Sequence, residues 1–345
     1  MYAELAAALK ARARELGFVR VGIARATRLE SDAQRLDAWL EAGFHAGMRY
    51  MKDTAQVRAD PRHPRMLPGA RSVVALAASH MGKTPPAGPR PALVARYAQG
   101  RDYHNVLGKR LRKLSRLLTE RGHRVRYSTD SMPVLERAWA QRAGLGFIGK
   151  NGCLIVPGLG SHVFLATLLT DAELEADEPM SERCGSCSRC LSACPTQALV
   201  GPRQLDARRC IAYLTIEHRD RIAQPLRSSL GAWIFGCDVC QDVCPFNQGR
   251  AARQETPEEF TTPARWASLD AAALLTMDEA AFRRYAHGSP LKRAGWEGMA
   301  RNAAIALGNS ASRRALPVLQ EAASTHASPA VREAASWASR RLSAR

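Results

Sequence analysis

The chain has 345 residues, 46% of them hydrophobic and 24% charged, with 50 Lys+Arg against 32 Asp+Glu and a formal charge of +18. That length suffices for two or three domains with real cores, and no uninterrupted apolar run reaches the ~18 residues of a membrane span. Nine cysteines are too sparse for a disulfide scaffold, and the excess of base over acid points to a polyanionic partner, nucleic acid first.

Met1 to Glu15 mixes Ala and Leu with Glu, Lys and Arg. It reads as an amphipathic helix rather than a signal peptide, so a cytoplasmic protein with reduced thiols is expected. Val19–Ile23 and Ser72–Ala77 read as strands, and Pro85–Pro91 as a Pro/Gly loop. A helix is predicted over Tyr103–Arg121. Leu107, Leu111, Leu114 and Leu118 form its apolar stripe, and Gly122 stops it. Its other face, with Lys109, Arg110, Arg112, Lys113 and Arg116, is either simply solvated or an RNA contact. Arg124–Tyr127, Cys153–Val156 and Val163–Leu169 are further strands, and a helix follows Pro133. Residues 1–175 therefore read as an α/β domain.

Residues 176–250 carry two cysteine runs. The first is Cys184-x2-Cys187-x2-Cys190-x3-Cys194-Pro195; the second is Cys237-x2-Cys240-x3-Cys244-Pro245. Two-residue gaps let three thiolates of one loop reach three irons of a cubane. The longer gap and the proline send the fourth toward a neighbouring cluster, the signature of two [4Fe–4S] clusters. The second run lacks its first cysteine, since position 234 is Ile234; Cys210 is the substitute. The spacing thus pairs Cys184, Cys187, Cys190 and Cys244 on one cluster, and Cys194, Cys210, Cys237 and Cys240 on the other. Cys153 is left over as a small buried residue. A pair of zinc sites is the alternative, although zinc motifs do not show this run.

Residues 251–345 read as helical. Arg301-Asn-Ala-Ala-Ile-Ala-Leu-Gly308 resembles Arg332-Glu-Ala-Ala-Ser-Trp-Ala-Ser339, and Ala315–Gln320 lies between as a partner helix. This suggests a short HEAT-like array. No GxGxxG follows a strand, no phosphate-binding loop is present, and no CxxxCxxC occurs. The electrons need an acceptor without a local fingerprint, or another protein.

Four segments resemble those of one family: Tyr97-Ala-Gln-Gly-Arg-Asp-Tyr-His104, Asp130-Ser-Met-Pro-Val-Leu-Glu-Arg137, Gly144-Leu-Gly-Phe-Ile-Gly-Lys-Asn151 and Gly236-Cys-Asp-Val-Cys-Gln-Asp-Val-Cys-Pro245. On residues 10–250 the chain resembles epoxyqueuosine reductase, the cobalamin-dependent iron–sulfur enzyme that completes queuosine on tRNA. Met132, Phe147 and Cys153 stand where that family tends to have Ala, Trp and Thr. The fold expected is an α+β or α/β multidomain protein. It comprises an N-terminal α/β cobalamin-binding domain, a ferredoxin-like two-[4Fe–4S] module and a C-terminal HEAT-like α-helical repeat.

The resemblance implies a base-off cobalamin between the first two parts, fed by both clusters and by an external low-potential donor. It implies reduction of epoxyqueuosine to queuosine at the tRNA wobble position. Asp130 is the implied carboxylic acid; Arg58, Tyr97, Lys150 and Asn151 are candidate cobalamin contacts, with the Gly149–Gly152 turn facing the corrin amides. His104 reads as a capping or packing residue, not a cobalt ligand. Thr215–Arg219 either touches the nucleotide or covers a cluster. A monomer contains every part. Two other readings are a non-catalytic electron-transfer module docking through its helices, and a reductive dehalogenase-like cobalamin enzyme.

Overall fold

The computed structural model describes residues 2–81, 92–249, 257–262 and 269–344. The expected Pro85–Pro91 loop and the expected boundary at 250/251 lie outside the described residues.

A four-stranded antiparallel sheet forms the N-terminal part. Its strands are β1 (Arg20–Arg25), β2 (Ser72–Ser79), β3 (Val125–Ser128) and β4 (Val163–Thr170). They lie in the order β1-β2-β4-β3, with Val74 opposite both Ile23 and Leu168. The layout is thus α+β, with no parallel crossovers in this sheet. Side chains alternate along a strand. Val74, Leu76 and Ala78 enter one core with helices α1 (Tyr2–Glu15) and α2 (Tyr103–Thr119). Val73, Ala75 and Ala77 enter another with Trp139 of α3 (Glu136–Arg142). Coverage on both faces explains why β2 is an unbroken apolar run instead of an alternating one.

The leucine stripe of α2 is buried at all four expected positions. Each such side chain is worth about 1.5–3 kcal/mol on burial, which fixes the helix start beside the sheet. Asp102 caps that start by accepting from the His104 amide at 3.1 Å. Gly122, at φ +81°, turns the chain out of the helix in the left-handed conformation glycine tolerates best.

Of the C-terminal helices α4 (Gly295–Asn309), α5 (Leu316–Thr325) and α6 (Pro329–Ser343), α6 packs against both of the others. A Cβ on Gly308 would lie 2.6 Å from the Cβ of Ala338, so glycine allows α4 and α6 to approach closely. These helices share one core with the cysteine-bearing segment: Met299, Ala303 and Val331 belong with Ile211, Leu214, Ile234 and Phe235. Asn302 Nδ2 donates to the carbonyls of Thr215 and Ile234 at 2.8 and 2.9 Å. The repeat is therefore packed onto the cluster segment and does not stand apart. Among the described residues, no helix is long and apolar enough to cross a membrane.

Candidate active site and cluster loops

Asp130 lies in the turn between β3 and α3, just past the edge of the sheet. Its φ is +55°, a left-handed value that Asp adopts more readily than most residues but at a cost. Neighbours hold the turn. Thr129 Oγ1 donates to the Leu165 carbonyl at 2.9 Å, and the Met132 amide donates to Ser128 Oγ at 3.1 Å. The Asp130 amide donates to Glu136 Oε1 at 3.0 Å. The Tyr103 hydroxyl donates to Asp130 Oδ2 at 2.8 Å. Asp130 itself is exposed.

Tyr103 opens α2 and stacks on Phe164 (centroids 4.5 Å apart, planes 12° apart) and on His104 (4.1 Å). Burial and the nearby Asp130 charge push its phenol far above the ordinary value, so it stays a hydrogen-bond donor. His104 is engaged elsewhere: its Nδ1 sits 2.7 Å from Asp102 Oδ1, and Lys292 Nζ holds Asp102 Oδ2 at 2.6 Å.

Two of the four expected cobalamin contacts fall around Asp130. Tyr97 lies edge-on to Tyr103 at 6.2 Å. Burial raises its phenol first, then the charges of Asp130 and Asp238; on its other side the ring lies 6.2 Å from Phe235, just before the second cysteine loop. Arg58 has its Nε on Thr54 Oγ1 at 2.9 Å and its guanidinium 5.8 Å from the Tyr50 ring. Burial lowers its pKa, while Tyr50, Asp130 and Glu136 work the other way.

Lys150 and Asn151 bond to the cysteine loops. Lys150 Nζ donates to the carbonyls of Gly185 and Cys187 at 2.7 and 2.9 Å. Asn151 Nδ2 donates to the Cys240 carbonyl at 3.3 Å, and its Oδ1 accepts from the Cys153 amide. Both side chains are spent on the cysteine loops. The Gly149–Gly152 turn joins the α+β part to those loops.

Four residues absent from the candidate set complete the surroundings of Asp130: Tyr50, Glu136, Glu217 and Arg293. Arg293 grips Glu217 through Nε and Nη2 at 2.8 and 3.1 Å, and the Asp130 charge reaches Arg293 and Tyr50. Glu136 keeps some solvent contact, yet burial pushes its carboxyl up to about 8, against the pull of the Asp130 amide. Within Thr215–Arg219, Thr215 is buried and accepts from the Gly236 amide, while Arg219 holds the carbonyls of Arg293 and Ala294.

The thiols gather in two neighbourhoods. Cys190 feels Cys184 and Cys244; Cys244 feels Cys184 and Cys187. Cys237 feels Cys210 and Cys194, and Cys240 feels Cys237 and Cys210. Cys194 and Cys244, each before a proline, are extended (φ −65°, ψ 113° and φ −74°, ψ 124°). Proline disfavours helix in the residue ahead of it, so each leaves its own short helix to join the other run. Ile234 is fully buried in the strand Trp233–Phe235, which explains the break in the second motif. Cys153 neighbours Cys240.

Among the described residues, no three His, Cys, Asp or Glu side chains converge on a single metal ion; a four-iron core spreads its thiolates more widely than a zinc cage does. The Ala198 amide points at Cys194 Sγ from 3.2 Å. Burial pushes the Cys237 thiol up to about 12. Iron binding would displace that proton.

A two-cluster thiol module packed against an α+β domain, with an acid presented beside it, defines an iron–sulfur oxidoreductase. Residues 183–247 match the 4Fe-4S double cluster binding domain, and residues 58–131 match epoxyqueuosine reductase QueG. The epoxyqueuosine reductase of Gloeobacter violaceus is 44% identical over 91% of this chain and 99% of its own length. That of Pseudomonas aeruginosa is 44% identical over 90% and 87%. A crystal structure of epoxyqueuosine reductase with an epoxyqueuosine-modified tRNA-Tyr stem loop superposes with a TM-score of 0.91 at 32% identity, covering 98% of this chain and 90% of that one. A Bacillus subtilis structure with its catalytic aspartate loop swung out of the active site gives 0.90 at 31%, with the same coverage. This chain belongs to the epoxyqueuosine reductase family.

Proposed function

We propose that this chain reduces epoxyqueuosine to queuosine at the wobble position of tRNA, with Asp130 as proton donor beside a base-off cobalamin. The observation that carries the reading is the presentation of Asp130, an exposed carboxylate on a left-handed turn, fixed by Tyr103, whose neighbour Tyr97 lies against Phe235 just before a cysteine loop. Family membership supports it, as does the relative that holds an epoxyqueuosine-modified stem loop.

The residues present suit the cofactor. The hydroxyls of Tyr50 and Tyr97, the Arg58 guanidinium and the exposed Asp130 offer polar groups to a planar ring fringed with amides. When bound, cobalamin supplies a strongly reducing cobalt nucleophile. Cys184, Cys187, Cys190 and Cys244 hold one [4Fe–4S] cluster; Cys194, Cys210, Cys237 and Cys240 hold the other. Tyr97 lies between Tyr103, which holds the acid, and Phe235, two residues before Cys237. Lys150 and Asn151 brace the two cluster loops. An external low-potential donor would supply the electrons, and one chain is the working unit in the cytoplasm.

The reduction takes up two electrons and two protons, forms a carbon–carbon double bond and releases the epoxide oxygen as water. Tyr103 occupies Asp130 Oδ2, leaving Oδ1 to carry the proton to the departing oxygen. Its exposure allows reprotonation from water between steps. Protonating an otherwise poor leaving group contributes ~10²–10⁴-fold. The anticodon base enters splayed from its stack, and basic side chains hold the backbone.

The test is anaerobic purification with cobalamin, followed by assay on epoxyqueuosine-containing tRNA. Product with bound corrin is expected; absence of both would overturn the reading.

A further inference from the structure

We propose that Glu136 is a positioning residue that latches the Asp130 turn in its reactive shape, an inference that rests on Asp130 being the proton donor. Asp130 and Ser131 are both exposed, so burial does not hold this part of the turn. A residue at φ +55° persists only where its surroundings over-determine it. The Asp130 amide has Glu136 Oε1 as its acceptor.

Glu136 is well placed to act as an anchor. It is the first residue of α3, whose N-cap, Leu135, makes no side-chain cap. A glutamate in the first turn is favoured there by the helix dipole. It reaches back to an upstream amide much as a capping-box residue does, but six positions away. The helix behind it is rigid: Ala138, Trp139 and Ala140 are buried in the core under β2 and β4.

Asp130 is thus clamped from both faces of the sheet. Tyr103 of α2, which packs on one face, fixes the carboxylate. Glu136 of α3, which packs on the other, fixes the backbone. With the backbone bond lost, the turn relaxes toward negative φ and carries Oδ1 away from the substrate. A displacement of about 1 Å can cost ~10²-fold in rate.

The test uses the holoenzyme with both clusters and cobalamin, assayed on epoxyqueuosine-containing tRNA. Glu136→Ala removes the acceptor; Glu136→Gln keeps an oxygen that can accept the same bond. The Ala variant should lose about 10- to 100-fold in kcat with KM little changed, and the amides of residues 129–132 should exchange faster. The Gln variant should recover most of both. Wild-type kcat in the Ala variant, or a Gln variant as slow as Ala, would overturn the latch. If the Ala variant does not fold, exchange in the wild-type protein decides: an Asp130 amide no slower than an open peptide also overturns it. Failure of the underlying reading is separate, since it would appear as normal turnover in Asp130→Asn while the amide stays protected.

Discussion

Tyr103 donates its phenolic hydrogen to Asp130 Oδ2 at 2.8 Å, and its ring is stacked on Phe164. The tyrosine is fixed by packing before it fixes the acid. Tyr103→Phe keeps the stack and loses only the bond. We expect kcat to fall about 10-fold, near the worth of one hydrogen bond to a charged group, with iron content and melting temperature almost unchanged. Unchanged kcat would show that Asp130 is oriented without it.

Asp130→Asn keeps the size and hydrogen-bonding reach of the side chain but removes its acidic proton. Both clusters and the corrin should remain, by iron analysis and absorbance, while turnover falls by ~10²–10⁴-fold. Wild-type rates would remove Asp130 from its role.

The crossed grouping of thiols makes a prediction that either run alone would not. Cys244→Ser should disturb the cluster of Cys184, Cys187 and Cys190, although it lies in the second run. Cys194→Ser should disturb the cluster of Cys210, Cys237 and Cys240. Cys153→Ser should keep about eight irons per chain. Paramagnetic resonance of the reduced proteins separates the cases; loss of the same signal in both single-ligand variants would contradict the crossing.

The parts legible in the sequence are those written in local spacing. The α2 leucines recur with helical period and are all buried. The cysteine gaps and their prolines describe loops whose thiols neighbour one another across the two runs. Asp130 has no local fingerprint; the role proposed for it came only from the family resemblance. Glu217 and Arg293 form one fork from positions 76 residues apart, a contact no periodicity encodes. Glu136 and Tyr103 stood inside the recognised segments, but only the tertiary turn brings both onto one aspartate. Lys150 and Asn151 were legible as polar turn residues, not as to direction: the chain aims them at carbonyls of the cluster loops.

Glu136 also gives stability a pH dependence of defined sign. Its carboxyl is raised from 4.5 to about 8 by burial, so the folded state binds the proton more tightly than the unfolded chain. The associated stability is fully present below about pH 4.5, declines as pH rises, and is lost through pH 8. Glu136→Gln, which does not titrate, should flatten this trend. Melting temperatures of the cluster-loaded protein between pH 6 and 9 check it; equal slopes in the two proteins would contradict it.

Arg301 couples the helical repeat to a cluster. The residue is 1% exposed and its guanidinium has carbonyls as partners, not a carboxylate: Leu214 at 2.8 Å, His218 at 3.0 Å and Asp220, with Asn302 Oδ1 alongside. Burial pulls its pKa down to about 10, still far above neutrality, so the charge is retained at a desolvation cost. Those carbonyls belong to the segment that leads from Cys210 to Glu217 and on. Arg301→Met fills the space but leaves them without donors, at a cost of about 1–3 kcal/mol for each carbonyl left unsatisfied. The loss should fall unevenly. The segment carries Cys210, so the cluster it shares with Cys194, Cys237 and Cys240 should be depleted, while that of Cys184, Cys187, Cys190 and Cys244 persists. Iron analysis with resonance spectra of the variant tests this, and an even loss from both clusters would show that Arg301 stabilises the chain only globally.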